Sequence, residues 1–197
     1  MICGIILAAG ASSRMGRPKA LLEYRGGTFL DAVCSAMHGA GVHSITVVMG
    51  AHAAEIRGKW PGRHTHALVN PHPEQGQLSS LKTALRNMPV YAGAAVMALV
   101  DQPEVSSAVY EKLIDAWRQN PGCIAIPRHR GKRGHPIILD ARVWPLCFEA
   151  PPDKGLHWVT HHGSVSVIDV DVDEESVIRD IDTPEQYAVL TRSRHDE

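Results

Sequence analysis

Three groups of residues carry the types and spacing that chemistry would need. The first is the run Leu7-Ala8-Ala9-Gly10-Ala11-Ser12-Ser13-Arg14-Met15-Gly16-Arg17-Pro18-Lys19. Its small residues let backbone N–H groups come close to a ligand, and Arg14, Arg17 and Lys19 supply cations, a combination suited to a chain of phosphates. It lacks the G-K-[ST] ending of a Walker A loop and is not G-x-G-x-x-G. The second is Asp101 in Leu99-Val100-Asp101-Gln102-Pro103. A carboxylate just past a buried run is a natural Mg²⁺ ligand, because that ion takes one or two carboxylates together with substrate phosphates. The alternative is a carboxylate that caps the turn at Pro103. The third is Asp180-Ile181-Asp182-Thr183-Pro184-Glu185-Gln186. Asp182 would be the second metal ligand, with Asp180 as its local rival.

Two further sets invite a role. Residues 127–136 (Pro-Arg-His-Arg-Gly-Lys-Arg-Gly-His-Pro) form the most basic stretch of the chain. They read either as a solvated surface loop or as a hinged flap that meets an anionic acceptor. The 12 histidines include His157 and His161 four apart and His64 and His66 two apart, but no H-E-x-x-H and no cysteine pair accompanies them, so zinc is not expected.

The elements that must position these groups follow from the hydrophobic pattern. Ile5-Ile6-Leu7, Ile45 to Met49, Ala67-Leu68-Val69 and Ala95 to Val100 are continuous apolar runs, as strands buried on both faces require. Helical patterns begin at Thr28, an N-cap with Asp31 three places on, and after Gly50, Gly76 and Glu104. Thr183 caps a last helix with Pro184 first and Gln186 completing a capping box, which sets Asp182 on the loop before it. The order predicts a single-domain, Rossmann-like α/β fold with a mainly parallel sheet, helices on both faces and a less regular C-terminal third. Cys123 to Ile126, Ile137 to Leu139 and Val165 to Val170 are the strands expected there. The domain is expected over residues 1–191 and a frayed tail over 192–197. In such a sheet ligands bind outside the carboxyl ends of the strands, so the loops starting at Ala8, Gly50, Asn70 and Asp101 are where the site belongs.

Composition limits the rest. The chain has 197 residues, 44% apolar and 21% charged, with 20 basic against 21 acidic side chains. It is long enough to hold a core without staples, and a net charge of −1 offers no general field for nucleic acid. Cys3, Cys34, Cys123 and Cys147 form no C-x-x-C pair, which suits a reducing compartment. The apolar N-terminus has no basic flank and is halted at Gly10 and Arg14, and no run reaches the length of a membrane span. The expected location is cytoplasmic.

The motifs together resemble a known family. Leu7-Ala8-Ala9-Gly10 with Ser13-Arg14-Met15-Gly16-Arg17-Pro18-Lys19 is similar to the signature of nucleotidyltransferases with a glycosyltransferase-A-like fold. Asn70-Pro71, Gly76-Gln77-Leu78-Ser79-Ser80-Leu81, Asp101-Gln102-Pro103, Gly134-His135-Pro136 and Asp180-Ile181-Asp182-Thr183-Pro184-Glu185, in that order, narrow the resemblance to the molybdenum cofactor cytidylyltransferases, relatives of the guanylyltransferases of the same pathway. The resemblance runs from Ile5 to about Tyr187.

It implies Mg²⁺-dependent transfer of CMP from CTP to the terminal phosphate of molybdopterin, with release of pyrophosphate and delivery of the product to a molybdoenzyme. Carried onto this chain, it places Leu7, Ala8, Ala9 and Gly10 at the nucleoside, Arg14 on the β- and γ-phosphates, and Lys19 between the α-phosphate and the incoming phosphate. Gly76, Ser79 and Ser80 would meet the base or ribose, while Asp101 and Asp182 would hold the metal. Guanylyl relatives carry Leu-Ala-Gly-Gly at the first loop, so Ala9 before Gly10 favours CTP. Members often show Gly-Asp-x-Gly-Ala-Arg late in the chain, where this one has Pro152-Asp153-Lys154-Gly155-Leu156-His157. Asp153, Arg128 and His135 are the acceptor-side candidates. The alternatives are a GTP-using relative, another phosphate acceptor, a non-catalytic carrier of the cofactor, and a reductase holding a dinucleotide on the same sheet.

Overall fold

The computed structural model describes residues 1–62 and 65–192. In chain order these form β1 (Ile2–Ala8), β2 (Glu23–Tyr24), β3 (Gly27–Thr28), α1 (Phe29–Gly39), β4 (Ile45–Met49), α2 (Ala53–Lys59), β5 (Thr65–Val69), α3 (Gln77–Leu85) and β6 (Ala94–Leu99). There follow α4 (Ser107–Gln119), β7 (Cys123–His129), β8 (Lys132–Arg133), β9 (Ile137–Asp140), α5 (Trp144–Glu149), α6 (Gly155–Thr160), β10 (Ser166–Asp171) and α7 (Pro184–Arg192). Arg192, expected in the tail, closes α7; residues 193–197 and His64 lie outside the described residues.

The main sheet runs β10-β7-β9-β6-β1-β4-β5, with β8 attached to β7. The β5, β4, β1 and β6 strands are parallel neighbours, β10 is parallel to β7, and β9 runs antiparallel to both β6 and β7. Residues of each central strand alternate between the two faces. Ile6, Val47 and Val96 pack with α1, α4 and part of α2, whereas Ile5, Val48 and Met97 pack with α3, α5 and α6. Helices on both faces leave no wetted face to the sheet's centre, which is why its strands read as unbroken apolar runs.

Local chemistry sets the helix starts. The Thr28 hydroxyl accepts from Asp31 N at 3.1 Å while the Asp31 carboxylate accepts from Thr28 N at 2.8 Å, closing the capping box that the sequence predicts. At α7, Gln186 N donates to the Thr183 hydroxyl at 3.3 Å, and Gln186 Oε1 accepts from Thr183 N and Asp182 N at 3.0 and 2.7 Å. The four cysteines are free and buried, and burial pushes the Cys34 and Cys147 thiols up to about 12, so they pack as small apolar groups.

Two expectations are corrected. Ala67-Leu68-Val69 is not buried on both faces, because β5 is the edge strand and is half-exposed along its length. The basic stretch is not a loop along its length. It is the β7–β8 hairpin, turned at Arg130 and Gly131, both with positive φ, which gives the turn the twist of its flanking strands. Arg128 and Arg133 face each other across it, and the like charges are neutralised from β10: Arg128 forks onto Asp171 at 2.7 and 3.0 Å, and Arg133 onto Asp169 at 2.6 and 3.2 Å.

One buried carboxylate ties the β9 end to α4. Asp140 accepts from Trp117 Nε1 at 2.8 Å, Gly122 N at 2.9 Å and the Arg142 backbone and guanidinium at 3.0 and 2.8 Å. Burial alone would raise its pKa; these donors outweigh burial and hold it far below the usual carboxylate range. Asp140→Ala is therefore expected to destabilise the fold by about 2–4 kcal/mol, since it orphans buried N–H groups. A depressed folded-state pKa contributes stability that is present above about pH 4 and is lost as pH falls through the folded value. Urea titrations should show the gap between wild type and variant widest at neutral pH and narrowing in acid.

Candidate active site

The carboxyl ends of β1, β4 and β6 open onto one cleft of about 330 Å³. Its floor is the first loop. Leu7, Ala8, Ala9 and Gly10 line it, followed by Ser12, Ser13 and Arg14, before the chain turns back to Lys19. The turn is built locally: Ser12, at φ 50°, accepts from Met15 N and Gly16 N at 3.0 and 3.1 Å, its hydroxyl accepts from Lys19 N at 3.2 Å, and the Met15 side chain is buried beneath. Gly50 lets β4 press against this loop, because a Cβ there would stand 2.3 Å from Ala9 O. His52, two residues on, bonds Ala11 O through Nε2 at 2.9 Å.

At the cleft's other end, two carboxylates converge on one ammonium. Lys19 Nζ donates to Asp101 Oδ2 at 2.7 Å and to Asp182 Oδ1, and Arg14 Nη2 donates to Asp182 Oδ2 at 2.7 Å. Lys19 is 12% exposed, Asp101 21% and Asp182 27%, while Arg14 is 67% exposed at the mouth. Burial pulls the Lys19 ammonium down, but its bonds to Asp101 and Asp182 outweigh that and its pKa ends above the ordinary lysine value. The same Lys19 bond, with Arg14 adding its charge, holds Asp182 below the ordinary carboxylate range. Lys19 and Asp182 are therefore both charged at neutral pH.

The donor set suits a hard divalent cation. Two carboxylates already close enough to share a single ammonium can share one metal ion, and among the described residues no group of three or more His, Cys, Asp or Glu does so, which leaves the remaining positions for phosphate oxygens and water. Asp180 does not line the cleft; its carboxylate accepts from Gln102 Nε2 at 2.8 Å instead.

Ten of the sequence-derived candidates line the cleft: Leu7, Ala8, Ala9, Gly10, Arg14, Lys19, Gly76, Ser80, Asp101 and Asp182. Ser79 lies on the other side of Asn70, in a groove of about 410 Å³ with Lys82 and Arg86, and its hydroxyl donates to His72 O at 3.1 Å. Arg17 turns away, its guanidinium 5.4 Å from the Tyr187 ring centroid. Arg128 is held by Asp171 outside the cleft, and Asp153 is exposed beside Lys154 at 3.6 Å. His135 does not line the cleft. Desolvation lowers its pKa to about 4, against an opposing pull from Asp101, so the imidazole is neutral at pH 7. The His157 and His161 rings lie against each other, tilted by 36° with centroids 3.8 Å apart, outside the cleft. His52 and Gln77, missed as candidates, also line the cleft; the signal for His52 was its place three residues past the end of β4 at Met49.

A parallel sheet whose first loop floors a nucleotide-sized cleft, with two carboxylates and a lysine where the phosphates would lie, is the architecture of the nucleotidyltransferases with a glycosyltransferase-A-like fold. The comparisons with known proteins agree. Residues 4–166 match the MobA-like NTP transferase domain, and the chain belongs to that family. It is 31% identical to nicotine blue oxidoreductase of Paenarthrobacter nicotinovorans, over 96% of each chain. It is also 28% identical to the molybdenum cofactor cytidylyltransferase of Escherichia coli, over 98% of this chain and 96% of that one. The crystal structure of Rv0371c from Mycobacterium tuberculosis superposes with a TM-score of 0.85 at 30% identity, covering 97% of each chain, and that protein has also been solved in complex with manganese. The enzyme is thus a nucleotidyltransferase by family, and among the described residues no helix is long and apolar enough to cross a membrane.

Proposed function

We propose that this enzyme moves CMP from CTP to the terminal phosphate of molybdopterin or its metal-loaded form, releasing pyrophosphate, with Mg²⁺ held by Asp101 and Asp182. The observation that carries this reading is the single ammonium of Lys19 shared by Asp101 and Asp182 at the end of a cleft floored by residues 7–10. The nucleoside would lie over Ala8, Ala9 and Gly10, against Gly76 and Ser80, with its phosphates running toward Arg14 and Lys19. The metal, when bound, supplies charge neutralisation at the phosphates.

The chain's own residues do the remainder. A phosphate monoester that attacks a triphosphate must overcome repulsion between anions, and cations fixed beforehand lower that barrier without reorganising during the reaction. Arg14, exposed at the mouth, would stabilise the departing pyrophosphate, and Lys19 would sit between the reacting phosphates. No general base is required, because a phosphate monoester is already largely ionised near pH 7. A product of this kind would pass to a molybdoenzyme.

The base preference rests on Ala9, as in the cytidylyl members, in place of the second glycine of guanylyl relatives. Pyrophosphate release measured with CTP, GTP, UTP and ATP and molybdopterin should favour CTP by at least tenfold; a preference for GTP would move the assignment to the guanylyl branch. The 31% identity to a nicotine blue oxidoreductase favours a second reading, a reductase. Against it, β4 ends in Met49-Gly50 with no acidic residue for a ribose, and the first loop lacks the dinucleotide pattern. NADH oxidation by the protein with a quinoid dye would establish that reading over the first.

A further inference from the structure

The two carboxylates of the site come from segments far apart in sequence, and their separation is set by something other than the metal. Asp101 sits at the end of β6, whereas Asp182 ends the stretch 177–182 that leads into α7. Three sets of bonds fasten that stretch to the β6 end. Ile181 N donates to Asp101 O at 2.9 Å. The Gln102 amide donates both to Val177 O at 3.2 Å and to the Asp180 carboxylate at 2.8 Å. Arg179 is ion-paired with Glu104.

Gln102 is the member that ties the stretch at two points, Val177 and Asp180. It is 5% exposed, immediately follows Asp101, and meets two acceptors three residues apart. Two acceptors claim both N–H donors of one amide, so its orientation is fixed. The consequence is visible: Gln102 Oε1 is the buried side-chain acceptor left without a partner among the described residues. A buried acceptor left bare is unfavourable, and the fold tolerates it to keep the donors where they are.

We propose that Gln102 and Asp180 form a positioning clamp that holds Asp182 at the distance from Asp101 that one divalent cation requires. This gives Asp180, the sequence-level rival of Asp182, a role outside the coordination sphere: it carries no metal and orients the residue two places on. The inference rests on the reading of Asp101 and Asp182 as the metal carboxylates. The clamp acts as outer-shell partners of metal ligands do, by reducing the freedom of the ligands before the metal arrives.

The test uses Mn²⁺ as the probe, titrated by electron paramagnetic resonance into the full-length protein with α,β-methylene-CTP present, alongside steady-state kinetics with Mg²⁺. Gln102→Met keeps the side-chain volume and removes both donors. It is expected to weaken Mn²⁺ binding about tenfold or more and to raise the Mg²⁺ concentration for half-maximal rate by a similar factor, while KM for the nucleotide changes less than threefold. Asp180→Leu, at an exposed position and with circular dichroism to confirm the native fold, should show the same pattern more weakly. Asp180→Asn keeps an oxygen that accepts from Gln102 and should stay within threefold of wild type. Wild-type Mn²⁺ affinity in both Gln102→Met and Asp180→Leu overturns the clamp. Asp101→Asn is the separate arm: if it too leaves Mn²⁺ binding unchanged, the carboxylate reading itself fails, whereas loss there without loss in the clamp variants refutes the clamp alone.

Discussion

Lys19→Ala is expected to lower turnover by roughly 10²–10³, with a smaller change in the KM for CTP. The magnitude is that of removing one preorganised charge-stabilising donor from a reaction in which charge develops between phosphates. The asymmetry between kcat and KM follows from position. Lys19 is placed by Ser12 and by the turn at residues 12–16 against Asp101 and Asp182, the end of the cleft proposed for the reacting phosphates, while Gly76 and Ser80 are proposed for the nucleoside. A group that contacts only what changes in the transition state alters kcat and kcat/KM together. The variant also leaves Asp101 and Asp182 facing each other with no ammonium between them. Asp182 loses the bond chiefly responsible for its low pKa, so its carboxylate should titrate closer to the ordinary range, detectable by NMR. Lys19→Arg is not a neutral swap, because a planar fork does not fit a point flanked by two carboxylates as a compact ammonium does. A Lys19→Ala enzyme that turns over at the wild-type rate would remove Lys19 from the reaction centre and, with it, the assignment of this end of the cleft to the α-phosphate.

Much of this arrangement was legible in the sequence, and what was not legible has a common cause. The capping boxes at Thr28 and Thr183 are local, since cap and partner lie three residues apart, and both form as expected. The buried parallel strands announced themselves because both of their faces are covered. The first loop and Asp101 stood out because small residues, cations and a carboxylate fall just past strand ends, where ligands of such sheets bind.

What failed depended on pairings across many residues. Arg128, Arg130 and Arg133 look like a free basic run until β10 pairs with β7 and sets Asp171 directly beside Arg128. Arg17 and Arg14 are indistinguishable in the sequence. Only α7 and the loop before it, arriving some 170 positions later, give Arg17 the Tyr187 ring and Arg14 the Asp182 carboxylate. The edge position of β5 is likewise set by strand order and not by composition. The choice between Asp180 and Asp182 was open for the same reason: both precede α7, and it is the Gln102 amide, fixed by β6, that captures one and leaves the other facing Lys19.

The same long-range closure makes Gly134 the backbone position with the largest expected effect. Its N–H donates to Pro127 O at 2.9 Å and the next residue, His135, donates to Val177 O at 2.9 Å, so the chain runs pressed against the segment that carries Asp182. A Cβ at residue 134 would stand 1.9 Å from Val177 O and 2.6 Å from its carbonyl carbon. Both of those atoms are backbone, and Val177 is itself fully buried, so neither can swing aside as a flexible side chain would. Gly134→Ala must therefore move residues 177–182 outward by about an ångström to restore an ordinary contact, and overpacking of this kind costs about 1–3 kcal/mol. The displacement falls on the carbonyl that Gln102 holds, and it carries Asp182 away from Asp101. Misplacement on that scale in a preorganised site is worth on the order of 10² in rate. The expected result is a folded but less stable protein, about 10²-fold slower under conditions where circular dichroism shows it native. Gly163→Ala serves as the comparison, since nothing lies within 4 Å of the Cβ it would add, and it should change stability by no more than about 0.5 kcal/mol. If Gly134→Ala matched Gly163→Ala in both melting and turnover, the segment would be free to yield at Val177, and the spacing of Asp101 and Asp182 would have to be set elsewhere.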